Sequence, residues 1–531
     1  MKVVVAEPLS PAALEALRAQ TGWNVVVADP KTFTDHLEDC DALIVRSAVK
    51  VTKAVLDKAP TLRVIGRAGV GVDNVDLPAA TAAGVLVMNT PGGNAVSVAE
   101  HTIGLMLALA RHIPAASAST LSGKWEKKKF QGTELRDKTL GIVGLGSIGR
   151  ETALRAKGFQ MRVIAFDPFV NPAAAGDLGI ELVSLDELYA HSDYLSLHVS
   201  LTPDTEKMIN QASIAKMKPG VRIINCARGE LIDQAALQAA LESGHVGGAG
   251  LDVFDPEPLP PGHPLLQAPN LLATPHIGGS TEEAQEIVGV RIVEQVVQYL
   301  QHGIAVNAVN MPALSPEQYR TLGPYIGLAE KLGAFAMAIS SGNPVSVQLS
   351  YFGRIAELNT ALVRNAGLAG LLNRSLTLKA NLVNALQQAA ERGLTVSERH
   401  ESRSTTYTDS IRVELTTSEG TVSVEGAVIL GQTRLLQVNG VYCEAEMHGH
   451  LTYLVNEDLP GVIGYIGGVL GRNQINIANF SLGRAERRVS PDAPLMAVSV
   501  IETDSPVPEA VLQELLTNKA IKTARTLELT D

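Results

Sequence analysis

The stretch Gly141-Ile142-Val143-Gly144-Leu145-Gly146-Ser147-Ile148-Gly149-Arg150 reads as a strand that turns into a helix across three spaced glycines. The apolar run Thr139–Val143 supplies the strand. A second apolar strand, Arg162–Phe166, ends on Asp167, 18 positions after Gly149. This is G-x-G-x-x-G in a strand–turn–helix setting, with an acidic residue where a ribose hydroxyl needs an acceptor. Gly144 permits a tight turn, Gly146 leaves room for a pyrophosphate against the backbone, and Gly149 lets helix and strand close up. The helix start directs free N–H groups and partial positive charge at the phosphates. A structural glycine turn is the bland reading. The spacing to Asp167 favours a dinucleotide site, and the Asp167 charge repels a 2′-phosphate, so NAD is expected rather than NADP.

Outward from this motif the chain alternates strands and helices. Strands are predicted at 2–6, 24–28, 42–45, 64–66 and 85–88, with helices at 11–20 and 53–59. After a long apolar helix at 96–111, a second block has strands near 140–143, 162–166, 194–198, 221–225, 248–252 and 271–273. Its helices fall at 149–158, 185–190 and 233–243. Two such blocks predict two doubly wound, Rossmann-like α/β domains with a cleft between them. A helix over 282–300 repeats Val288, Ile292, Val296 and Tyr299 on one face. From 313 to 449 the character changes to a helix near 323–340, a strand at 345–351, another helical stretch and a β-rich tail at 411–441. This reads as an α+β intervening domain without a catalytic constellation. The last block reads strand (450–455), helix (461–472), strand (475–482), strand (495–503), helix (507–516), strand (521–529), the order of a ferredoxin-like unit.

At 531 residues the chain is too long for one core. Apolar residues make up 46%, yet no run reaches the roughly 18 residues of a membrane span. The opening 1–6 reads as a first strand and not a signal peptide. Cys40, Cys226 and Cys443 are odd in number and far apart, which offers neither a disulfide framework nor metal-ligand spacing and suits a reducing cytoplasm. A net charge of −11 with one short basic run, Lys127-Lys128-Lys129, argues against nucleic acid. A small anionic substrate remains compatible, because a local cleft can be positive on an acidic protein.

Hydride transfer at a carbonyl needs a proton carrier, a cation for the substrate's carboxylate and carbonyl, and a partner that tunes the proton carrier. Three strand ends offer these. Arg228 follows the strand at 221–225 in Asn225-Cys226-Ala227-Arg228-Gly229-Glu230, and a guanidinium fits a carboxylate bidentately. Glu257 stands between Pro256 and Pro258, a stiff backbone from which a carboxylate can hold a histidine. His276 follows the strand at 271–273 and precedes Gly278 and Gly279, which let a cofactor approach. Taken singly, each could be a turn arginine, a loop glutamate or a structural histidine.

These motifs resemble the D-2-hydroxyacid dehydrogenase family over roughly residues 1–305. The segments that carry the resemblance are Ile44-Val45-Arg46-Ser47, Ile65 through Asn74, Asn89 through Asn94, the glycine fingerprint, Cys226-Ala227-Arg228-Gly229 and His276-Ile277-Gly278-Gly279. The resemblance implies that Arg228 binds the substrate carboxylate and carbonyl, that His276 is the acid/base, and that Glu257 supports it. It implies cofactor contacts at Val70, Gly144, Gly146, Ser147, Ile148, Gly149 and Asp167. It extends them to Ser200, Cys226, Ala227, Arg228, Asp252, His276, Gly278 and Gly279. Val70 stands where some relatives carry threonine, a change of little weight if the contact is through the backbone. Arg46, Ser47 and Arg67 would meet a phosphate, with Asn94 at a hinge. Residues 1–97, rejoined by 285–303, would form the substrate-binding domain and 98–284 the NAD-binding domain.

The long branch of this family adds an intervening domain, here 313–449, and an amino-acid-sensing ACT domain, here 450–531. Its members oxidise 3-phosphoglycerate to 3-phosphohydroxypyruvate at the start of L-serine biosynthesis, which makes 3-phosphoglycerate the expected substrate. Asn456, Asp458 and Asn476 resemble a serine-binding pattern, although Asn and Asp are also common turn and cap residues. The resemblance further implies a homodimer or homotetramer. Two other readings compete. One is a hydroxypyruvate or glyoxylate reductase of the same family, which usually lacks the long tail. The other is an NAD-sensing, corepressor-like binding protein, against which Arg228, Glu257 and His276 together argue.

Overall fold

In the computed structural model, which describes residues 1–373, 379–402, 409–486 and 494–529, the chain forms four sheets. The intervening and C-terminal stretches predicted from sequence include residues 374–378, 403–408, 487–493 and 530–531, which lie outside the described residues.

The first sheet contains β1 (Lys2–Val5), β2 (Asn24–Val27), β3 (Ala42–Val45), β4 (Val64–Arg67) and β5 (Leu86–Met88). All its strands are parallel, in the order β2-β1-β3-β4-β5. The second holds β6 (Thr139–Val143), β7 (Arg162–Phe166), β8 (Glu181–Leu182), β9 (Tyr194–Leu197), β10 (Val221–Asn225), β11 (Val246–Leu251) and β12 (Leu271–Ala273). Its order is β12-β11-β10-β9-β6-β7-β8, also all parallel. Read from β8, that is 3-2-1-4-5-6 plus a seventh strand, with the topological switch between β6 and β9, where such sheets bind dinucleotides. The strands are nearly continuous apolar runs because helices cover both faces.

Two helices cross between the sheets. The helix Ala95–Ala110 lays Leu105 and Leu109 against the bare backbone of Gly250. The helix Glu282–His302 returns to the first sheet, where Ile292 and Val296 press on Gly66 and Gly289 lies against Ala13. Ser97 and Thr281, at the two crossings, are joined by a 2.8 Å hydroxyl–hydroxyl bond. The following segment stays on the first sheet: Asn310 accepts from the Val87 N–H at 2.8 Å.

The third sheet contains β13 (Pro344–Gly353), β14 (Thr395–Glu401), β15 (Asp409–Thr417), β16 (Gly420–Ile429), β17 (Gln432–Val438) and β18 (Val441–Glu446). β14 runs parallel to β13 and the rest pair antiparallel. The helix expected at 323–340 starts earlier, at Pro316. Ser315 and Gln318 form a reciprocal capping box there, and the helix carries Pro324 inside it. It crosses the helix Ala361–Leu372 at Gly333 and Gly370, where a Cβ would come within 2.0 and 1.9 Å of backbone carbonyl oxygens. The final unit has β19 (Gly449–Glu457), β20 (Ile477–Arg484), β21 (Met496–Thr503) and β22 (Ile521–Leu529), antiparallel in the order β20-β21-β19-β22. With the helices Val462–Arg472 and Glu509–Leu516 this is the ferredoxin-like arrangement predicted. No described helix is long and apolar enough to cross a membrane.

Candidate active site

At the turn after β6, Gly144 has φ +92°, and a Cβ on Gly149 would stand 2.1 Å from the Gly144 carbonyl oxygen. Helix Ser147–Gly158 therefore sits directly on the strand end. A Cβ on Gly146 would meet nothing within 4 Å. The space above the backbone is open there, at a helix start formed by Ser147 and Ile148, and a pyrophosphate fits it. Asp167, at the end of β7, accepts from Leu145 N–H at 2.8 Å and Phe169 N–H at 2.9 Å, so its carboxylate is braced beside the turn. Ser200 is exposed beyond β9, and the Val70 carbonyl accepts from the Asn89 amide at 2.5 Å. Cys226 is half-buried, and burial pushes its thiol up to about 12. Ala227 N–H donates to Asn225 Oδ1 at 3.0 Å.

His276 Nδ1 lies 2.7 Å from Glu257 Oε2. That hydrogen bond, working against burial, holds the imidazole above its ordinary 6.5. Burial lifts the Glu257 carboxyl, but His276 and the Phe254 N–H at 2.9 Å outweigh it and keep it below its usual range. With Nδ1 engaged, Nε2 is the nitrogen left for a substrate. His276 adopts φ +54°, a left-handed conformation. Asp252 holds that loop in place. It is 1% exposed and accepts from the Thr274 hydroxyl at 2.6 Å, Ile277 N–H at 2.9 Å and Gly278 N–H at 2.7 Å. His101 Nε2 joins the network 3.0 Å from the Thr274 hydroxyl. Gly279 lies against Asn94, where a Cβ would be 2.7 Å from the amide nitrogen.

Arg228 faces this pair, and Arg67 and Arg46 lie on its other side. Arg228 acts electrostatically on Glu257 and His276 from one side and on Arg67 and Asp73 from the other. Arg67 is brought down to about 10, by burial first and then by the charge of Arg228. Its Nε is buried without a partner. Arg46 sits in a loop held by Glu7, which is 6% exposed and accepts from the N–H groups of Arg46, Ala48 and Val49 at 2.9–3.1 Å. Ser47 is exposed in the same loop. Asn94 precedes the helix Ala95–Ala110, with its Oδ1 buried and unpartnered.

In the C-terminal unit, Asn456 and Asp458 line a cavity of about 320 Å³ with Pro460, Gly461, Leu482 and Arg484. Asn456 Oδ1 is buried without a partner, and Asp458 pairs with Arg484 at 3.3 Å. Asn476 is not among the residues lining this cavity; its amide donates to Asp504 at 2.8 Å.

Sequence reasoning assigned no role to Asp73, Glu7, Asn225 or His101. Asp73 lies within Ile65–Asn74, where an acidic residue just beyond a glycine-rich strand end is the available signal. Asn225 closes the Arg228 loop by donating to the Arg228 carbonyl at 2.7 Å.

Residues 103–278 match the D-isomer specific 2-hydroxyacid dehydrogenase, NAD binding domain, and residues 321–439 match the D-3-phosphoglycerate dehydrogenase intervening domain. The chain is 42% identical over 531 residues to the D-3-phosphoglycerate dehydrogenase of Methanocaldococcus jannaschii, covering 100% of both chains. It is 38% identical over 530 residues to that of Bacillus subtilis, covering 99% of each. The chain belongs to the D-3-phosphoglycerate dehydrogenase family. Among solved structures it resembles a glyoxylate reductase from Paecilomyes thermophila, at 32% identity and TM-score 0.53, over 60% of this chain and 99% of that one. It also resembles an Aquifex aeolicus D-lactate dehydrogenase complexed with NAD and lactic acid, at 29% identity and TM-score 0.52, over 59% of this chain and 100% of that one.

Three substitutions test this geometry. Gly149→Ala should lower stability by about 1–3 kcal/mol through backbone overpacking. Gly146→Ala should leave the melting temperature near wild type while weakening NAD binding, as thermal unfolding and cofactor titration would read out. Glu257→Gln removes the charge that raises His276, so the imidazole loses its proton at lower pH. An oxidation that needs neutral His276 should then keep its activity to lower pH, with a reduced plateau. A kcat/KM profile whose acidic limb does not move would detach Glu257 from the proton carrier.

Proposed function

We propose that this chain is an NAD-dependent dehydrogenase that oxidises 3-phosphoglycerate to 3-phosphohydroxypyruvate, the first step toward L-serine. The observation that carries the reading is the hydrogen-bonded His276–Glu257 pair with Arg228 acting on it, and with Arg67, near Arg46, on the other side of Arg228. The substrate has the matching charges: a carboxylate next to the reacting 2-hydroxyl and a phosphate at the far end. Arg228 takes the carboxylate and the developing carbonyl oxygen. Arg67, with its unpartnered buried Nε, takes the phosphate together with Arg46 and Ser47. His276 Nε2 receives the hydroxyl proton, and Glu257 stabilises the imidazolium that results. NAD, when bound, accepts the hydride from C2. The open turn at Gly144–Gly149 would hold its pyrophosphate and Asp167 its ribose. Val70, Ser147, Ile148, Ser200, Cys226, Ala227, Gly278 and Gly279 would be further contacts for the cofactor, with Asp252 anchoring the His276 loop. Asn94 would stand at the hinge between residues 1–97 with 285–303 and the NAD-binding residues 98–284.

In the tail, serine would bind at the Asn456–Asp458 cavity, where the unpartnered Asn456 Oδ1 suits an ammonium group. A second copy of the chain would cover the helix Ile113–Leu121. That helix has no buried residue, and Leu121 and the nearby Trp125 are 85% and 87% exposed, which supports a homodimer or homotetramer. A cytoplasmic setting fits three unpaired cysteines.

The test is NADH formation from 3-phosphoglycerate. His276→Asn should cut turnover by about 10²-fold or more with NAD affinity retained. Arg67→Ala should raise KM for 3-phosphoglycerate far more than for an unphosphorylated 2-hydroxy acid, by a charge-assisted contact of about 1.5–3 kcal/mol. Equal losses on both acids would remove Arg67 from the phosphate. Calorimetry on the full chain tests the tail: serine should release or absorb heat with wild type and not with Asp458→Ala, whose basal turnover stays near wild type. A wild type silent to millimolar serine overturns the effector site.

A further inference from the structure

Arg228 does not wait alone in the cleft. Its Nε donates to Asp73 Oδ2 at 2.9 Å, and its Nη2 lies 2.7 Å from the same oxygen. Its Nη1 donates to the Ala227 carbonyl at 2.6 Å. The two residues are 155 positions apart and come from different sheets: Asp73 follows β4, and Arg228 follows β10. The guanidinium rests on bare backbone, because a Cβ at Gly71 would stand 1.8 Å from Nη2 and 2.8 Å from Asp73 Oδ2. Burial lifts the Asp73 carboxyl, yet Arg228 outweighs it and holds the group ionised below its usual range.

We infer that Asp73 is a positioning residue, which fixes the Nε–Nη2 edge of Arg228 so that its Nη1–Nη2 end is presented to the substrate carboxylate beside His276. The inference rests on the dehydrogenase reading above. A guanidinium has two bidentate edges, and a carboxylate on one leaves the other in a set plane. Free of Asp73, the side chain can rotate, and a displacement of about 1 Å at a reacting centre costs about a hundredfold in rate. Asp73 also places a negative charge beside both Arg228 and Arg67, whose own charges repel. Asp73 and Glu7 raise Arg67, against burial and the charges of Arg228 and Arg46. A carboxylate that reaches from one sheet's loops to the other's thus also ties the orientation of Arg228 to how the halves of the cleft meet.

The test is steady-state kinetics of Asp73→Asn and Asp73→Glu on 3-phosphoglycerate and on unphosphorylated D-glycerate. Asp73→Asn should lose kcat about tenfold or more on both acids by the same factor, because both share the carboxylate that Arg228 holds. KM for NAD and the melting temperature should stay at wild-type values. Asp73→Glu, which keeps the charge, should recover part of the loss. A kcat for Asp73→Asn within about twofold of wild type overturns the inference. So do equal losses in both variants with a raised KM for NAD, which would make Asp73 a domain-assembly residue. If wild type oxidises D-glycerate but not 3-phosphoglycerate, the substrate assignment fails and Asp73 is still judged on D-glycerate. If it oxidises neither, both readings fall.

Discussion

Parallel pairing is the constraint on which the rest of this structure depends. A parallel strand cannot return by a tight hairpin, so every strand in the first two sheets ends in a loop at the same edge before its crossover helix begins. All of the proposed chemistry sits on those ends. Arg46 and Ser47 follow β3, and Arg67 to Asp73 close and follow β4. The glycine turn follows β6, Asp167 ends β7, and Ser200 lies past β9. Arg228, Glu257 and His276 follow β10, β11 and β12, three neighbouring strands on one side of the switch point. No long-range folding device is needed to bring a base, its carboxylate and a guanidinium together; adjacent parallel strands deliver them in register.

Loops at strand ends are mobile by default, and a reacting group has to be held to within fractions of an ångström. Here the holding is done by carboxylates with several backbone donors each. Glu7 gathers three N–H groups of the Arg46 loop, and Asp252 gathers two N–H groups and a hydroxyl of the His276 loop. Both are nearly fully buried, so removing either partner set would leave an uncompensated charge. These anchors also offset the concentration of positive charge. Arg67 is lowered by burial first and then by the neighbouring charges of Arg228 and Arg46, and its buried Nε has no partner. An incoming dianion relieves both.

The elements were readable because their periodicities are strong: buried parallel strands as apolar runs, crossing helices as 3.6-residue repeats, the fingerprint as spaced glycines. Where the reading slipped, local sequence contradicted the fold. Pro324 and Gly323 look like a helix boundary, yet the Ser315–Gln318 box starts the helix two turns earlier. β14, Thr-Val-Ser-Glu-Arg-His-Glu, is an edge strand whose largely polar pattern carries no strand signature. Catalytic candidates at strand ends were legible because position narrows their meaning. Their anchors were not, since Asp73 meets Arg228 across 155 residues and Glu7 meets the Arg46 loop across 39. Asn476 is a motif residue whose amide donates to Asp504 and which does not line the cavity formed by Asn456 and Asp458.

The tail is fastened to the arginine side of the cleft. One continuous apolar core runs from Val3 and Ile44 in the first sheet through Val288 and Ile292 of the returning helix to Leu332, Phe335 and Tyr351, and on to Tyr453 and Leu527. Phe335 meets Tyr453 edge-on at 6.0 Å, which joins the long helix of the third unit to the fourth sheet. The Asn381 amide donates to the Gly84 carbonyl at 2.8 Å, a direct polar tie between the third unit and the first. Close-packed interiors transmit strain because they have no slack. Through the third unit, the fourth sheet is therefore packed onto the sheet that carries Arg46, Arg67 and Asp73. From there the route to His276 is short and electrostatic. Asp73 holds Arg228, and Arg228 acts on the His276–Glu257 pair, so a shift of the first sheet reaches the proton carrier through one guanidinium.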